Sequence, residues 1–272
     1  MSTIDLSSST DSRIAVAGQV LAMLQETARS HDIPLMAIGA TARDILSVAV
    51  AGAPPNRATA DIDIAVAVSS WHAFESLTGD LERVGRRQHT FVVSGMHVDV
   101  VPFGELETSG RVIDWGDGSA MNTLGLREAY AASLTALLPG RTEVRVPSVA
   151  GLTTLKLMAW SDRRLETRRD AVDLQTIMGW ATTGALLDDL YATGVPLLEA
   201  YDFDTDLAAS HRLGSQMFQL LGSVAPQVLA LLDDDNLSRL AADMPTTVVA
   251  QGPMLRALRA GLSGPTTRGN TG

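Results

Sequence analysis

Apolar positions along this chain switch between two periods, and the switch divides it. From Ile14 to Ala28 they recur at helical spacing, and Pro34 to Gly39 is a short apolar run ending in glycine, the mark of a strand. Thr41 to Val50 is again helical, and Ala51 to Ala60 is a loop rich in Pro and Gly. Asp61 to Val68 (DIDIAVAV) has the β-branched content of a strand, with Ser69 or Ser70 placed to cap a helix over Trp71 to Val84. Phe91 to Val93 and His97 to Val101 flank a Ser94–Gly95 turn and predict a hairpin. A strand over Arg111 to Asp114 precedes a Gly-rich loop at Trp115 to Ser119. A helix over Leu126 to Leu138 and a strand over Thr142 to Val146 follow.

After Pro147 the strand signal almost vanishes and long helical patterns take over. The expected organisation is therefore an α/β-type half over residues 1–146 and a helical half over residues 147–272, an α+β fold. The Ser-rich start and the Gly/Thr/Pro tail from Gly261 read as frayed ends.

Composition narrows the chemistry. The 272 residues are 46% hydrophobic, enough for a real core and against disorder. The chain has no cysteine, which removes disulfides, thiolate metal sites and cysteine nucleophiles together. Met1 to Arg13 lacks a signal-peptide pattern and no run of about 18 apolar residues occurs, so the expected compartment is the cytoplasm, with no membrane partner. A net charge of −10 argues against general binding to duplex nucleic acid, whose phosphates call for a basic surface. One segment departs from that balance: Arg141 to Asp170 holds seven basic residues against four acidic ones. Within it lies Lys156, the single lysine of the chain.

The candidate chemistry is carboxylate chemistry. Strand side chains alternate, so Asp61 and Asp63 share a face about 6–7 Å apart, with Ile62, Ile64 and Val66 turned to the other. Two such acids suit a hard cation that takes oxygen ligands, and a pair of magnesium ions clamps both the attacking and leaving oxygens of a phosphoryl transfer. A third acid from a neighbouring strand completes such a set, and Asp99 in HVDVV supplies it. Taken alone, Asp-x-Asp is more often an ordinary turn or solvated face. The strand ending at Gly39 and the small-residue turn into a helix shift the balance, because helix N-terminal amides bind phosphate oxygens. Arg43, one turn into that helix, is a candidate phosphate contact. Lys156, Trp160 and Arg163 or Arg164 follow helical spacing and share a face.

The order Gly39-Ala-Thr-Ala-Arg-Asp44, then Asp61-Ile-Asp63, then Val98-Asp99-Val-Val-Pro-Phe-Gly104 resembles the DNA polymerase β-type nucleotidyltransferases. More narrowly it is similar to the AbiEii/MenT-like nucleotidyltransferase toxins of bacterial toxin–antitoxin systems. The Lys followed by an Arg–Asp-rich stretch in Leu152 to Asp173 adds to the likeness, which covers roughly Ala37 to Leu174. The resemblance implies a mixed sheet with helices followed by a helical C-terminal portion, and Mg²⁺-dependent transfer of a nucleoside monophosphate from an NTP to an acceptor hydroxyl. It implies Asp61, Asp63 and Asp99 as catalytic residues holding two Mg²⁺ ions. Gly39, Thr41, Arg43 and Lys156 would hold the triphosphate. As acceptor it implies RNA, a tRNA 3′ end among the candidates, with growth inhibition and a cognate antitoxin as corollaries. A small-molecule acceptor of the aminoglycoside type stays open beside it, since an acidic surface suits a polycation. So does a nucleotide-binding module without catalysis. The chain departs from the pattern at Gly39-Ala40, where many relatives carry Gly-Gly or Gly-Ser, and Thr41 is left to offer the hydroxyl.

Overall fold

The computed structural model of the protein describes residues 3–54, 61–85, 87–247 and 249–265. Most of the expected loop before Asp61, and the tail from residue 266 onward, lie outside the described residues. The chain divides into two compact units, Met1–Ser148 and Val149–Gly272. The first is a mixed sheet with helices and the second, among its described residues, is all helix, so the fold is α+β.

In the first unit the elements run β1 (Thr3–Asp5), α1 (Ser12–Ser30), β2 (Leu35–Ala37), α2 (Gly39–Ala51), β3 (Asp61–Val68) and α3 (Trp71–Thr78). Then come β4 (Glu82–Arg83), β5 (Thr90–Val93), β6 (Met96–Gly104), β7 (Val112–Asp114) and β8 (Ala120–Asn122), followed by α4 (Leu126–Ala131), β9 (Leu134–Leu138) and β10 (Thr142–Val146). Eight strands form one sheet in the order β1-β9-β10-β2-β3-β6-β5-β4, and β7 pairs with β8 separately. The central pair β3/β6 is parallel, while β2/β3 and β5/β6 are antiparallel.

That centre follows from the alternation. Ile62, Ile64 and Val66 of β3 and Val98 and Val100 of β6 are all buried, each contributing about 1.5–3 kcal/mol on removal from water. Asp63 and Asp99 are half-buried and Asp61 is exposed. Ser70 caps α3 as expected, its hydroxyl accepting from the Ala73 N–H at 3.2 Å.

Several expectations give way. The helix over Trp71 to Val84 stops at Thr78, and Glu82–Arg83 becomes β4 against β5. The tail read as frayed from Gly261 begins inside a helix that runs to Leu262. The helix over Leu126 to Leu138 stops at Ala131, and Leu134–Leu138 becomes β9, because β10 and β1 take it up on either side. The polar N-terminus is not frayed throughout: Thr3–Asp5 adds a parallel strand to β9. In each strand, pairing supplied by neighbouring strands overrides local propensity.

The second unit runs α5 (Val149–Arg163), α6 (Arg169–Trp180), α7 (Gly184–Thr193), α8 (Val195–Ala200), α9 (Thr205–Leu221), α10 (Ala225–Leu229), α11 (Asp234–Asp243) and α12 (Gln251–Leu262). Helices α9 and α12 cross at two glycines. A Cβ on Gly214 would collide with the Leu258 carbonyl and lie 2.8 Å from the Leu262 nitrogen; one on Gly261 would collide with the His211 carbonyl. The helical stretch Thr205–Leu232 is long and apolar enough, by length and composition alone, to cross a membrane, which a search for unbroken apolar runs misses. Its Ala208, Leu213, Met217 and Leu221 are buried within the unit.

Candidate functional site

The parallel register places Asp63 directly beside Asp99, and Asp61 beside His97. Neighbours in register point to the same face of a sheet, so Asp61, Asp63 and Asp99 share one face, opposite the buried Ile62, Ile64, Val98 and Val100.

Gly39 fixes what borders Asp63. It opens α2 with φ +57°, and a Cβ there would lie 2.6 Å from the Asp63 Cγ and 2.8 Å from its Cβ. Both the conformation and the space therefore demand glycine. The contact is held by three hydrogen bonds. The Ala40 N–H donates to Asp63 Oδ2 at 2.9 Å, the Asp63 N–H donates to Thr41 Oγ1 at 3.0 Å, and the Ile38 N–H donates to the Asp63 carbonyl at 2.9 Å. The N-terminal turn of α2 is thus sewn to the strand that carries Asp61 and Asp63. Thr41, expected near phosphates, has its hydroxyl on the β3 backbone.

Asp99 is held from the other side. Thr90 Oγ1, its register partner on β5, donates to Asp99 Oδ1 at 2.6 Å. The preceding residue, His89, sends its carbonyl to the Val100 N–H at 2.7 Å. Burial pushes the His89 imidazole below its ordinary pKa, against the opposing pull of the Asp99 charge.

An all-carboxylate set on one sheet face fits a hard divalent cation by its donor chemistry. Among the described residues, however, no group of three or more His, Cys, Asp or Glu side chains is gathered closely enough to hold a metal ion. Asp63 Oδ2 accepts from α2 and Asp99 Oδ1 from β5, and their backbones are adjacent.

The expected phosphate cations are placed differently from one another. Arg43 is buried, and its Nε donates to Asp44 Oδ1 at 2.9 Å. Asp44 and Thr41 line, with Asp61, Met96, Arg13 and Ile14, a cavity of about 230 Å³ in the first unit. Lys156 belongs to the helical unit, where it is buried against two acids, its Nζ 3.2 Å from Asp170 Oδ1 and 2.6 Å from Asp173 Oδ2. Arg163 also donates to Asp170, through Nε at 2.7 Å. Burial pushes the Asp170 carboxyl up, but the Arg163 hydrogen bonds and the Lys156 and Arg163 charges outweigh it, leaving the group below its ordinary value.

Sequence reading missed Thr90, the partner of the Ala40 amide and an aromatic group. Thr90 had a usable signal, since counting back from a two-residue Ser94–Gly95 turn sets it opposite Asp99. The N-terminal amides of α2 were expected from Gly39 and the small-residue turn, but the Ala40 amide's partner, Asp63, left no trace in side-chain identity. In the aromatic group, Trp115 packs on Trp71 with centroids 5.3 Å apart and on His89 at 5.7 Å.

No family model matches the sequence, and no curated protein matches it. Among solved structures the chain is similar to the antibiotic-resistance factor ANT(2'')-Ia. Its solution structure gives 14% identity over 69% of this chain and 97% of that one, with a TM-score of 0.37. Its crystal structure in complex with adenylyl-2''-tobramycin gives 14% identity over 68% and 96%, with a TM-score of 0.40. The chain is also similar to an antigenic nucleotidyltransferase-like protein from Paracoccidioides brasiliensis, at 18% identity over 75% of this chain and 94% of that one, with a TM-score of 0.40.

Proposed function

We propose that the α+β unit catalyses Mg²⁺-dependent nucleotidyl transfer, moving a nucleoside monophosphate from an NTP to an acceptor hydroxyl with release of pyrophosphate. The observation that carries this reading is the in-register pairing of Asp63 with Asp99 on parallel strands, beside a helix N-terminus that glycine brings against Asp63. Asp61, Asp63 and Asp99 would hold the magnesium ions. When bound, magnesium supplies positive charge at the transferred phosphoryl group and at the departing pyrophosphate.

The chain's own residues do the rest. Asp99 accepts the proton of the attacking hydroxyl, while the new bond forms at the α-phosphorus and the bond to pyrophosphate breaks. Thr90 orients that carboxylate through its 2.6 Å hydrogen bond. The first turn of α2, with Gly39, Thr41 and Arg43, lies beside Asp63, and a helix N-terminus favours anionic oxygens. The likeness to the polymerase β-type pattern also assigns Lys156 to the triphosphate.

For the acceptor, the AbiEii/MenT-like pattern and the basic balance of Arg141 to Asp170 support RNA, a tRNA 3′ end first, with a cognate antitoxin as partner. A small-molecule hydroxyl is the second reading, favoured by the net charge of −10.

The test is incubation with each α-labelled NTP, Mg²⁺ and either total RNA or a panel of hydroxylated amines, beside an Asp63→Asn control. Label in an RNA band, lost in the control, supports the first reading; label in an amine supports the second. Label in neither sinks the transferase assignment.

A further inference from the structure

The helical unit carries two exposed patches of opposite charge, and each includes large apolar side chains open to water. From Leu174 to Ser210 the sequence holds six acids, Asp188, Asp189, Glu199, Asp202, Asp204 and Asp206, and neither Lys nor Arg. Arg212, the next base along, is paired with Asp189 and donates to Thr193 Oγ1 at 2.8 Å. Within this acidic stretch Tyr191 keeps 53% of its surface exposed and Phe203 62%. Tyr191 reaches the same place in the fold as Phe203, since its hydroxyl lies 3.3 Å from Thr205 Oγ1 at the start of α9.

Phe203 sits in a strained turn. At the end of α8 the Phe203 N–H donates to the Leu198 carbonyl at 2.8 Å, and the Asp202 N–H to the Glu199 carbonyl at 3.2 Å. A helix end of this kind usually carries glycine, whose left-handed backbone is free of cost. Here Asp202, with φ +50°, and Phe203, with φ +60°, adopt that conformation instead. For a bulky residue it is an outlier, and the fold gains no buried ring in return.

The basic patch is the loop from α5 to α6, Arg163-Arg-Leu-Glu-Thr-Arg-Arg169, with four arginines against Glu166. Leu165 in its middle is 91% exposed, more than any other large hydrophobic side chain among the described residues. Arg168 and Arg169 are exposed beside it. Both patches belong to one unit and both stay open to solvent, so they do not cover one another within the chain.

We propose that the two patches meet between copies of this chain, the Leu165 loop of one copy seated on the Tyr191–Phe203 surface of another. The inference goes beyond nucleotidyl transfer and stands without it.

Charge complementarity selects the occupant. Six acids repel nucleic acid and acidic proteins alike. An apolar tip framed by guanidinium groups answers both parts of the acidic surface. Leucine covers apolar ring area, while arginines stack on ring faces or bind carboxylates. The chain itself supplies that combination at Leu165. Each copy has one loop and one surface, so a two-fold axis forms both contacts at once and closes the assembly as a dimer. The loop holds four of the seven basic residues on which the RNA reading draws, so pairing and RNA binding exclude one another there.

The experiment is analytical ultracentrifugation of the full-length chain at about 50 mM and about 500 mM NaCl. At low salt the expected mass is twice the 28.8 kDa of one chain, falling toward the single-chain value at high salt. Leu165→Asp and Phe203→Ser, on opposite sides of the contact, should each weaken association by about tenfold or more while keeping a cooperative thermal melt. Arg169→Glu at the start of α6 and Glu199→Arg near the end of α8 reverse exposed charges where the helix dipole welcomes the new sign. Either reversal alone should leave monomer at concentrations where the wild type pairs. An equimolar mixture of the two should pair again, because the reversed loop then meets the reversed surface and the native loop meets the native one. A wild type that stays monomeric up to about 0.5 mM chain would overturn the proposal. So would association indifferent to salt, a mixture no heavier than its parts, or pairing that survives both Leu165→Asp and Phe203→Ser.

Discussion

Asp63 and Asp99 lie side by side across a parallel strand pair, and each carboxylate accepts a hydrogen bond, from the Ala40 amide and from the Thr90 hydroxyl respectively. In the proposed reaction Thr90 is therefore a positioning residue for the acid that would take the proton. Thr90→Val keeps the shape of a buried side chain and removes one hydrogen bond. Transfer should fall by up to about tenfold, as loss of about 0.5–1.5 kcal/mol allows. Asp99→Asn should cost about 10²–10³-fold or more. Steady-state kinetics beside a thermal melt decide it: equal kcat/KM for Thr90→Val and wild type would remove Thr90 from the mechanism.

Gly39→Ala confronts both a positive φ and the Asp63 side chain. The backbone conformation alone costs about 1–2 kcal/mol for a residue with a Cβ, before any overlap is relieved. The methyl group must push Asp63 off the α2 amides, so activity should drop further than stability does. A denaturant midpoint and a rate measured on the same sample compare the two losses.

Lys156 is buried between Asp170 and Asp173, so Lys156→Met leaves buried acids short of their cation. Breaking a buried pair from one side costs about 3–5 kcal/mol, with Arg163 softening the loss at Asp170. Urea unfolding should show the drop. NTP affinity, measured on the fraction that stays folded, tests the triphosphate role independently.

The same cluster makes a prediction about pH. Asp170 has a folded pKa below its ordinary value of 3.8, so its contribution is present above that value and is lost as pH falls through the lowered one. The urea midpoint should therefore decline on acidification below the ordinary carboxylate range. In Asp170→Asn that decline should be shallower, whereas Asp235→Asn, at an exposed site, should track the wild type.

How much of this was legible beforehand varies with the kind of signal. DIDIAVAV gave its own strand and its own facing, because alternation with burial on one side leaves no other register for Asp61 and Asp63. The Ser94–Gly95 turn likewise carried the β5/β6 pairing. Leu134 to Leu138 misled, since a leucine- and alanine-rich run satisfies either period until β1 and β10 claim it. The surroundings of Lys156 were only half visible. Interleaved acids and bases announced a charged cluster, but not that its lysine would be inside and its Arg168 outside. The aromatic group was invisible, because Trp71 and Trp115 are far apart in sequence and meet only through the folding of α3 and the β7–β8 hairpin.

The crossing of α9 and α12 at Gly214 and Gly261 has a consequence for biosynthesis. Chains fold from the N-terminus as they are made. The face of α9 bearing His211, Gly214 and Ser215 has to wait, through α10 and α11, for the helix that covers it. A nascent chain halted after α11 would present that uncovered face to chaperones and proteases, so the closing helix also governs how long the newborn protein remains vulnerable.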